Sequence, residues 1–264
     1  MDTDKRLAIV TTGAKIHASA TELARQTAER LELSFVQRRN RSLDELRQEY
    51  QVQNVLVAKK GALTLVTPAG ELFFHSSMAH LRIKNLRMGK TDHMLSAMGL
   101  AAGMRVLDCT LGFGADAIVA SFAVGAQGKV VGVESNPLIA AVIGYGMGHV
   151  TAENYDIHEA MRRIEVQAAD YADYLSLQAD KSFDVVYFDP MFRHPIQASM
   201  NMDPLRVVAD HRPVTSAAIQ QAVRVARKRV VFKENSRSME FARLGFSTVV
   251  GGKYSSVHYG ILEL

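Results

Sequence analysis

Short apolar runs alternate with segments of helical periodicity through the second half of the chain, and this alternation limits the possible folds more than any other feature. It predicts strands over residues 105–109, 129–134, 164–168, 183–189 and 229–233. The helices predicted around them cover residues 94–100, 115–124, 137–148, 155–163, 171–177 and 213–225. Strands separated by helices pair in parallel through right-handed crossovers. The sequence therefore predicts an α/β fold with a doubly wound, mostly parallel sheet.

The end of the chain departs from this alternation. Residues 246–250 and 257–262 have strand-like composition and are joined by a glycine- and serine-containing segment without a helix. Two strands joined by a short turn pair in antiparallel fashion. We expect an antiparallel hairpin that closes the sheet.

The first 76 residues have a different pattern. Two segments of helical spacing, 19–31 and 42–50, lie among short strands, and Ser42 with Glu45 has the sequence of a capping box. Residues 77–92 lose the pattern and are basic and polar, which is typical of a connection. We therefore expect a small α+β domain over residues 1–76, a basic connection over 77–92 and a larger domain over 93–264.

Composition excludes several classes of protein. The chain has 264 residues, a single cysteine and a formal net charge of +4. One cysteine excludes an internal disulfide framework and a zinc site built on several thiolates, and the histidines have no metal-ligand spacing, so no metal is expected. No apolar run reaches the ~18 residues that span a bilayer, and no signal sequence is evident. We expect a cytoplasmic protein that is not inserted in a membrane; the oligomeric state stays open, a homo-oligomer included.

One glycine-containing turn follows the first strand of the larger domain. Asp108 ends that strand, Thr110, Gly112 and Gly114 form the turn, and a helix begins near residue 115. Ligands of open parallel sheets bind at the carboxyl ends of the strands, and glycines let the backbone approach them closely. The next strand ends at Glu134, where a carboxylate can accept hydrogen bonds from ribose hydroxyls. The pattern predicts a nucleoside site.

Two nucleoside ligands fit such a turn. A dinucleotide requires glycine where this chain has Thr110 and Ala117, and the carboxylate of Asp108 would repel a pyrophosphate. S-adenosylmethionine (SAM) carries an ammonium and a sulfonium group, which a carboxylate attracts. Asp108 therefore favours SAM as the cofactor.

A second cluster, Asp189-Pro190-Met191-Phe192, ends the fourth strand of the larger domain. It resembles the Asp/Asn-Pro-Pro-Tyr/Phe motif of class I methyltransferases that act on exocyclic amino groups of nucleic-acid bases, with Met191 in place of the middle proline. With His194 and Ala198-Ser199, the chain resembles the bacterial small-subunit ribosomal RNA guanine-N2 methyltransferase family. The likeness covers residues 87–264 and implies a Rossmann-like class I methyltransferase sheet.

The resemblance also implies roles for individual residues. Asp189 and the Pro190 carbonyl would accept hydrogen bonds from the acceptor amine, and Phe192 would stack on an extruded base. Besides the turn and Glu134, the expected cofactor contacts are Asp116, Ser135, Asp170 and Asp189. The implied partner is nucleic acid, specifically ribosomal RNA, whose phosphates the basic segments and the N-terminal domain would bind. Lys233, Glu234 and Asn235 end the fifth strand, either at the acceptor entrance or as a salt-bridged rim.

The sequence leaves alternatives open. One is a methyltransferase of a small molecule or a protein that shares the motif, and another is a non-catalytic RNA-binding factor with the same fold. A third is a nicotinamide-dependent oxidoreductase. The methylated base, and the choice between RNA and DNA, are also left open.

Overall fold

The computed structural model describes residues 7–15, 17–152, 154–191 and 203–264. Its strands are β1 (Ala8–Thr12), β2 (Ser34–Phe35), β3 (Asn54–Lys59), β4 (Ala62–Thr67), β5 (Gly70–Phe73), β6 (Arg105–Asp108), β7 (Lys129–Glu134), β8 (Ile164–Ala168), β9 (Phe183–Phe188), β10 (Ala226–Asn235), β11 (Thr248–Gly251) and β12 (Val257–Glu263). Its helices are α1 (Ala18–Arg30), α2 (Leu43–Tyr50), α3 (Ser77–Arg87), α4 (His93–Met98), α5 (Ala115–Val124), α6 (Pro137–His149), α7 (Tyr155–Arg162), α8 (Tyr171–Ser176), α9 (Asp203–Val208), α10 (Ser216–Val225) and α11 (Glu240–Arg243).

These elements form two compact units that are discontinuous in sequence. The described part of the N-terminal unit is residues 7–75, 137–150 and 203–208. The C-terminal unit has residues 76–136, 151–191 and 209–264. The units are thus not the contiguous segments of the expected domains, whose boundaries at residues 76 and 92 stay predictions.

The N-terminal unit is built on a mixed sheet in the order β2-β1-β3-β4-β5. Strand β1 pairs in parallel with β2 and β3, and β3, β4 and β5 pair in antiparallel fashion. Helix α6 packs on β4 and β5, where Gly146 lies against the Phe74 ring. The predicted capping box of Ser42 and Glu45 starts α2 and is confirmed.

Among the described residues, the C-terminal unit has a seven-stranded sheet in the order β11-β12-β10-β9-β6-β7-β8. The strands from β10 to β8 pair in parallel, and β12 pairs in antiparallel fashion with both β10 and β11. Every residue of the central strand β9 is buried, as expected for a strand covered on both faces. The predicted α/β class, with a parallel sheet and an antiparallel C-terminal hairpin, is confirmed.

An aromatic cluster fills one layer of this core. The Phe232 ring stacks on Phe246 with centroids 5.6 Å apart, and Phe241 meets it edge-on at 5.9 Å. Fully buried Phe188 of the neighbouring strand β9 belongs to the same cluster. Burial of such rings stabilises the sheet by about 2–3 kcal/mol per side chain.

Some local expectations were wrong. Residues 77–87 form helix α3, although the sequence pattern predicted no helix there; Ala79 and Ile83 lie one helical turn apart and are both buried. Helix α10 begins at Ser216 rather than at residue 213, because the Thr215 side chain caps it by accepting a hydrogen bond from the Ala218 N–H at 3.1 Å.

Two features are absent from the part of the chain that the structure describes. No helix there is both long and apolar enough to cross a membrane. No group of three or more His, Cys, Asp or Glu side chains there could hold a metal ion.

Candidate active site

The first and fourth strands of the C-terminal unit lie side by side and bring the two predicted motifs together. Asp108, at the end of β6, is in register with Tyr187 of β9. The Cys109 N–H donates to the Tyr187 carbonyl at 2.9 Å, and the Asp189 N–H donates to the Thr110 hydroxyl at 2.6 Å. The turn after β6 is therefore tied to the end of β9.

The glycine turn is tied in the same way to the end of β7. Gly112 and Gly114 have φ angles of 50° and 75°, which favour glycine. The Gly112 N–H donates to Glu134 Oε2 at 3.1 Å, and the Asn136 N–H donates to Glu134 Oε1 at 2.9 Å. The Ser135 side chain also hydrogen-bonds Glu134, and burial raises the pKa of that carboxyl. Glu134 thus fixes the turn while standing at the edge where a nucleoside is expected.

Asp108 is an acid buried at this edge. Its side chain is 2% exposed and accepts a hydrogen bond from the Thr110 N–H at 3.1 Å. Burial raises the pKa of Asp108 to about 8, against the opposing effect of that N–H. A cationic ligand beside Asp108 would offset the cost of ionising it.

A chain of alternating charges runs through the site. Lys233 Nζ donates to Asp189 Oδ2 at 2.6 Å and to Asp116 Oδ2 at 3.0 Å. Asp116 also accepts from the Tyr187 hydroxyl at 2.7 Å and from Arg82. Arg82 in turn binds both carboxylate oxygens of Asp92, at 2.8 and 2.9 Å. We call the sequence Asp92–Arg82–Asp116–Lys233–Asp189 the ion-pair chain.

The ion-pair chain fixes which of its groups are charged. Burial would lower the pKa of Lys233, but Asp116 and Asp189 outweigh it and raise that pKa. For Asp116, the attraction of Lys233 and Arg82 outweighs burial and lowers the pKa. Burial raises the pKa of Asp189, and Lys233 partly offsets this rise. Lys233 is therefore a buried cation shared by two carboxylates.

The structure brings most of the predicted site residues to one edge of the sheet. Asp108, Thr110, Gly112, Glu134 and Asp189 are linked there by the hydrogen bonds above, with Pro190 directly after Asp189. Their roles towards cofactor and acceptor stay predictions.

Two other predicted site residues, Asp116 and Asp170, are engaged in contacts within the protein, and a third, Phe192, is not described. Asp116 is engaged by Arg82, Lys233 and Tyr187. Asp170 caps α8, accepting from the Ala172 N–H at 2.7 Å, and pairs with Arg212 at 2.6 Å. Phe192, with His194 and Ala198-Ser199 of the motif, lies outside the described residues.

Sequence reasoning missed Arg82 and the role of Tyr187, and it left Lys233 undecided. The signal for Lys233 was available, because a lysine directly after the apolar run Val230–Phe232 is unusual in a central strand. Arg82 was hidden by the failure to recognise α3. Its contact with Asp116 spans 34 residues, which no local pattern reveals.

The comparison with known proteins agrees with this geometry. The family model described as "Putative SAM-dependent methyltransferase" matches residues 26–255, which is most of the chain. The chain belongs to this family. Its cofactor is S-adenosylmethionine, and its reaction is methyl transfer.

Two proteins show how similar in sequence this methyltransferase is to its relatives. "Uncharacterized protein YpiP" of Bacillus subtilis is 36% identical over 256 residues, 97% of this chain and 99% of that protein. "Ribosomal RNA small subunit methyltransferase J" of Pseudomonas aeruginosa is 29% identical over 244 residues, 88% of each chain.

Among solved structures, the SAM-dependent methyltransferase NGO1261 of Neisseria gonorrhoeae has the same fold. It superposes with a TM-score of 0.65 at 18% identity, covering 96% of this chain and 95% of that one. At this identity the likeness is one of fold.

The site of this methyltransferase fits its cofactor. A buried carboxylate of raised pKa, Asp108, stands beside a turn in which Gly112 and Gly114 have positive φ angles and carry no side chain that would block close approach of a ligand. When bound, SAM supplies a methyl group on a positively charged sulfur, and a carboxylate-rich edge attracts such a ligand.

Proposed function

We propose that this methyltransferase modifies the exocyclic amine of a base in structured RNA, namely guanine N2 in small-subunit ribosomal RNA. Two observations support the proposal. The motif Asp189-Pro190-Met191-Phe192 resembles that of enzymes acting on such amines. Several relatives carry the name "Ribosomal RNA small subunit methyltransferase J".

The main support is the environment of Asp189. Its carboxylate ends the strand next to Asp108, Lys233 holds its Oδ2 at 2.6 Å, and its N–H is bound by Thr110. A carboxylate kept ionised and oriented in this way is a strong hydrogen-bond acceptor for an N–H donor.

The proposed chemistry follows from the weakness of the acceptor. The lone pair of an exocyclic amine is delocalised into the ring, so the nitrogen is a poor nucleophile. Asp189 and the Pro190 carbonyl accept hydrogen bonds from its two N–H groups and favour a more pyramidal nitrogen. The new N–C bond forms as the C–S bond breaks and its electron pair stays on sulfur. The methylated nitrogen then loses a proton to Asp189 or to water.

This proposal is tested by the variant Asp189→Ala. We expect transfer to ribosomal RNA to fall by at least about 100-fold, because the amine loses its main acceptor. SAM affinity, measured by calorimetry, should change little. The matched control is Asp173→Ala, an exposed acid on α8.

The substrate class is tested by following a radioactive methyl group from SAM into the fractions of a cell extract. Tritium from labelled SAM should enter the RNA fraction of a cell extract rather than the protein or metabolite fractions. Nucleoside mass spectrometry of ribosomal RNA, from cells with and without the gene, should identify a lost N2-methylguanosine. Label in protein or metabolites alone, or unchanged transfer by Asp189→Ala, would refute the proposal.

A further inference from the structure

The parallel part of the N-terminal sheet has a basic carboxyl edge. Strands β2, β1 and β3 are neighbours and run in the same direction, so the loops that follow them emerge at one edge. Ligands of open sheets bind at such an edge. The basic residues in these loops and strand ends are Lys15, Arg38, Arg39, Arg41, Lys59 and Lys60.

An open cleft of about 710 Å³ lies at the end of β2. The aromatic residues Phe35 and Tyr50 line it together with Arg39, Asn40, Arg41 and the acid Glu49. Aromatic rings beside guanidinium groups are the surroundings in which proteins bind unpaired bases and their phosphates.

The loop that forms this cleft is held in one conformation. Arg38 Nε donates to the Arg41 carbonyl at 3.1 Å, and Arg41 Nη2 donates to the Gln37 carbonyl at 2.5 Å. Arg41 also pairs with Glu49 at 2.5 Å and hydrogen-bonds Tyr50. These contacts fix the cleft wall before any ligand binds, which lowers the entropic cost of binding.

Arg39 stands out within this loop. It has a left-handed backbone, with φ of 50°, although it is not a glycine, and it is exposed. Such a conformation is disfavoured for most residues and is maintained by the surrounding contacts, here those of Arg38 and Arg41. The loop thus holds an exposed arginine at the rim of the cleft.

The positive charge extends beyond the cleft. The end of β3 is two strand spacings from β2, or roughly 10 Å. The Lys59 side chain runs beside Gly13 of the β1 loop, where a Cβ would lie 3.5 Å from Lys59 Cγ, and Lys60 follows it in an exposed turn. A polynucleotide strand carries successive phosphates, which can contact both Arg39 and Lys60.

We propose that the carboxyl edge of the N-terminal sheet binds a single-stranded segment of the RNA substrate, with a base against Phe35 and Tyr50 and phosphates on Arg39 and Lys60. The proposal rests on the proposed function, because it takes RNA as the substrate. It adds a second contact that is separate from the site of methyl transfer.

The test measures binding of a fluorescein-labelled, mixed-sequence single-stranded RNA of about 12 nucleotides by polarisation. Arg39→Glu and Lys60→Glu should each weaken binding about tenfold at ~100 mM salt and reduce the slope of log affinity against log salt by about 1. The matched control is Arg30→Glu, which makes the same charge change in the same unit. Arg30 ends α1 at the opposite edge of the sheet and is exposed, so its variant should stay within twofold of wild type.

Competitors identify the ligand. Unlabelled single strand should displace the probe better than the duplex of the same sequence, because stacking requires an unpaired base. Guanosine monophosphate and inorganic phosphate should compete weakly. Equal competition by duplex or by phosphate, equal loss of affinity in Arg30→Glu, or wild-type affinity in Arg39→Glu and Lys60→Glu would each overturn the proposal.

The same probe separates this proposal from the proposed function. The Asp189→Ala protein keeps the cleft, so it should still bind the single-stranded probe there, within about twofold of wild type, while methyl transfer falls by at least about 100-fold. Loss of RNA binding only in the cleft variants supports the inference, whatever the activity of Asp189→Ala.

Discussion

Two aspartates at neighbouring strand ends have the same side chain and different electrostatic environments. Asp108 is buried and accepts a hydrogen bond from the Thr110 N–H, whereas Asp189 accepts one from the ammonium group of Lys233. The folded chain keeps a proton on Asp108 up to about pH 8, which an unfolded chain loses near pH 4. Its contribution to stability therefore falls as the pH rises through that range. Ionisation of buried Asp108 thus lowers the stability of the free protein, and a cationic ligand bound beside Asp108 would restore that stability.

The first residue-scale prediction concerns SAM binding and pH. If Asp108 receives the cationic end of the cofactor, it must lose its proton on binding. The affinity should then rise by up to tenfold per pH unit from about pH 6 to about pH 7.5, above which the ligand's own amino group begins to deprotonate. Calorimetry in buffers of different ionisation enthalpy measures both the affinity and the released proton. Asp108→Asn should bind more weakly and without this dependence; a flat wild-type profile would contradict the assignment.

The second residue-scale prediction concerns Lys233. Replacing it by methionine removes the charge that offsets the burial of Asp189, so the pKa of Asp189 should rise further. The acidic limb of the kcat profile should move up by about 2–3 pH units, and kcat near pH 7 should fall about 10- to 100-fold. Lys228→Met, at an exposed position of β10, is the control. A thermal melt checks folding, and superimposable pH profiles would exclude Lys233 from this role.

At the scale of elements, local patterns predicted the strands well. The bounds of β7, β8 and α5 agree with the periodicity, because each is a short apolar run closed by turn residues. The turn after β6 and the proximity of Asp108 to Asp189 also followed from the parallel order. Partners distant in sequence were not predictable. Arg82 of α3 meets Asp116 only because of how α3 packs. The packing of α6 in the N-terminal unit likewise cannot be predicted from the sequence of α6 alone.

Helix α6 gives the element-scale prediction. A Cβ on Gly146 would lie 2.2 Å from the Phe74 ring, whereas nothing lies within 4 Å of a Cβ on Gly148. Gly146→Ala should therefore destabilise the protein by about 1–3 kcal/mol through overpacking. Gly148→Ala should stabilise it by up to about 1 kcal/mol, because alanine favours a helix. Urea unfolding measures both changes. Equal effects of the two substitutions would mean that α6 does not pack on Phe74.

At the scale of the whole molecule, the methyltransferase site and the RNA contact that we propose lie in different units. The family fold and the ion-pair chain belong to the C-terminal unit, and the basic cleft belongs to the N-terminal unit. The formal net charge of +4 did not predict the basic sheet edge, because a net charge does not say where the charged residues lie. Composition therefore limited the class of protein, and only the topology of the sheet located the basic edge.

The division of the chain into interleaved pieces has a consequence for biogenesis. The N-terminal unit includes residues 137–150 and 203–208, so the polypeptide leaves it and returns twice. During translation, the first 75 residues emerge long before the helix that covers their sheet. The apolar surface awaiting α6 stays uncovered until that helix is synthesised, and a nascent chain in this state is prone to aggregate. The N-terminal unit therefore cannot complete its fold until residues 203–208 have been synthesised.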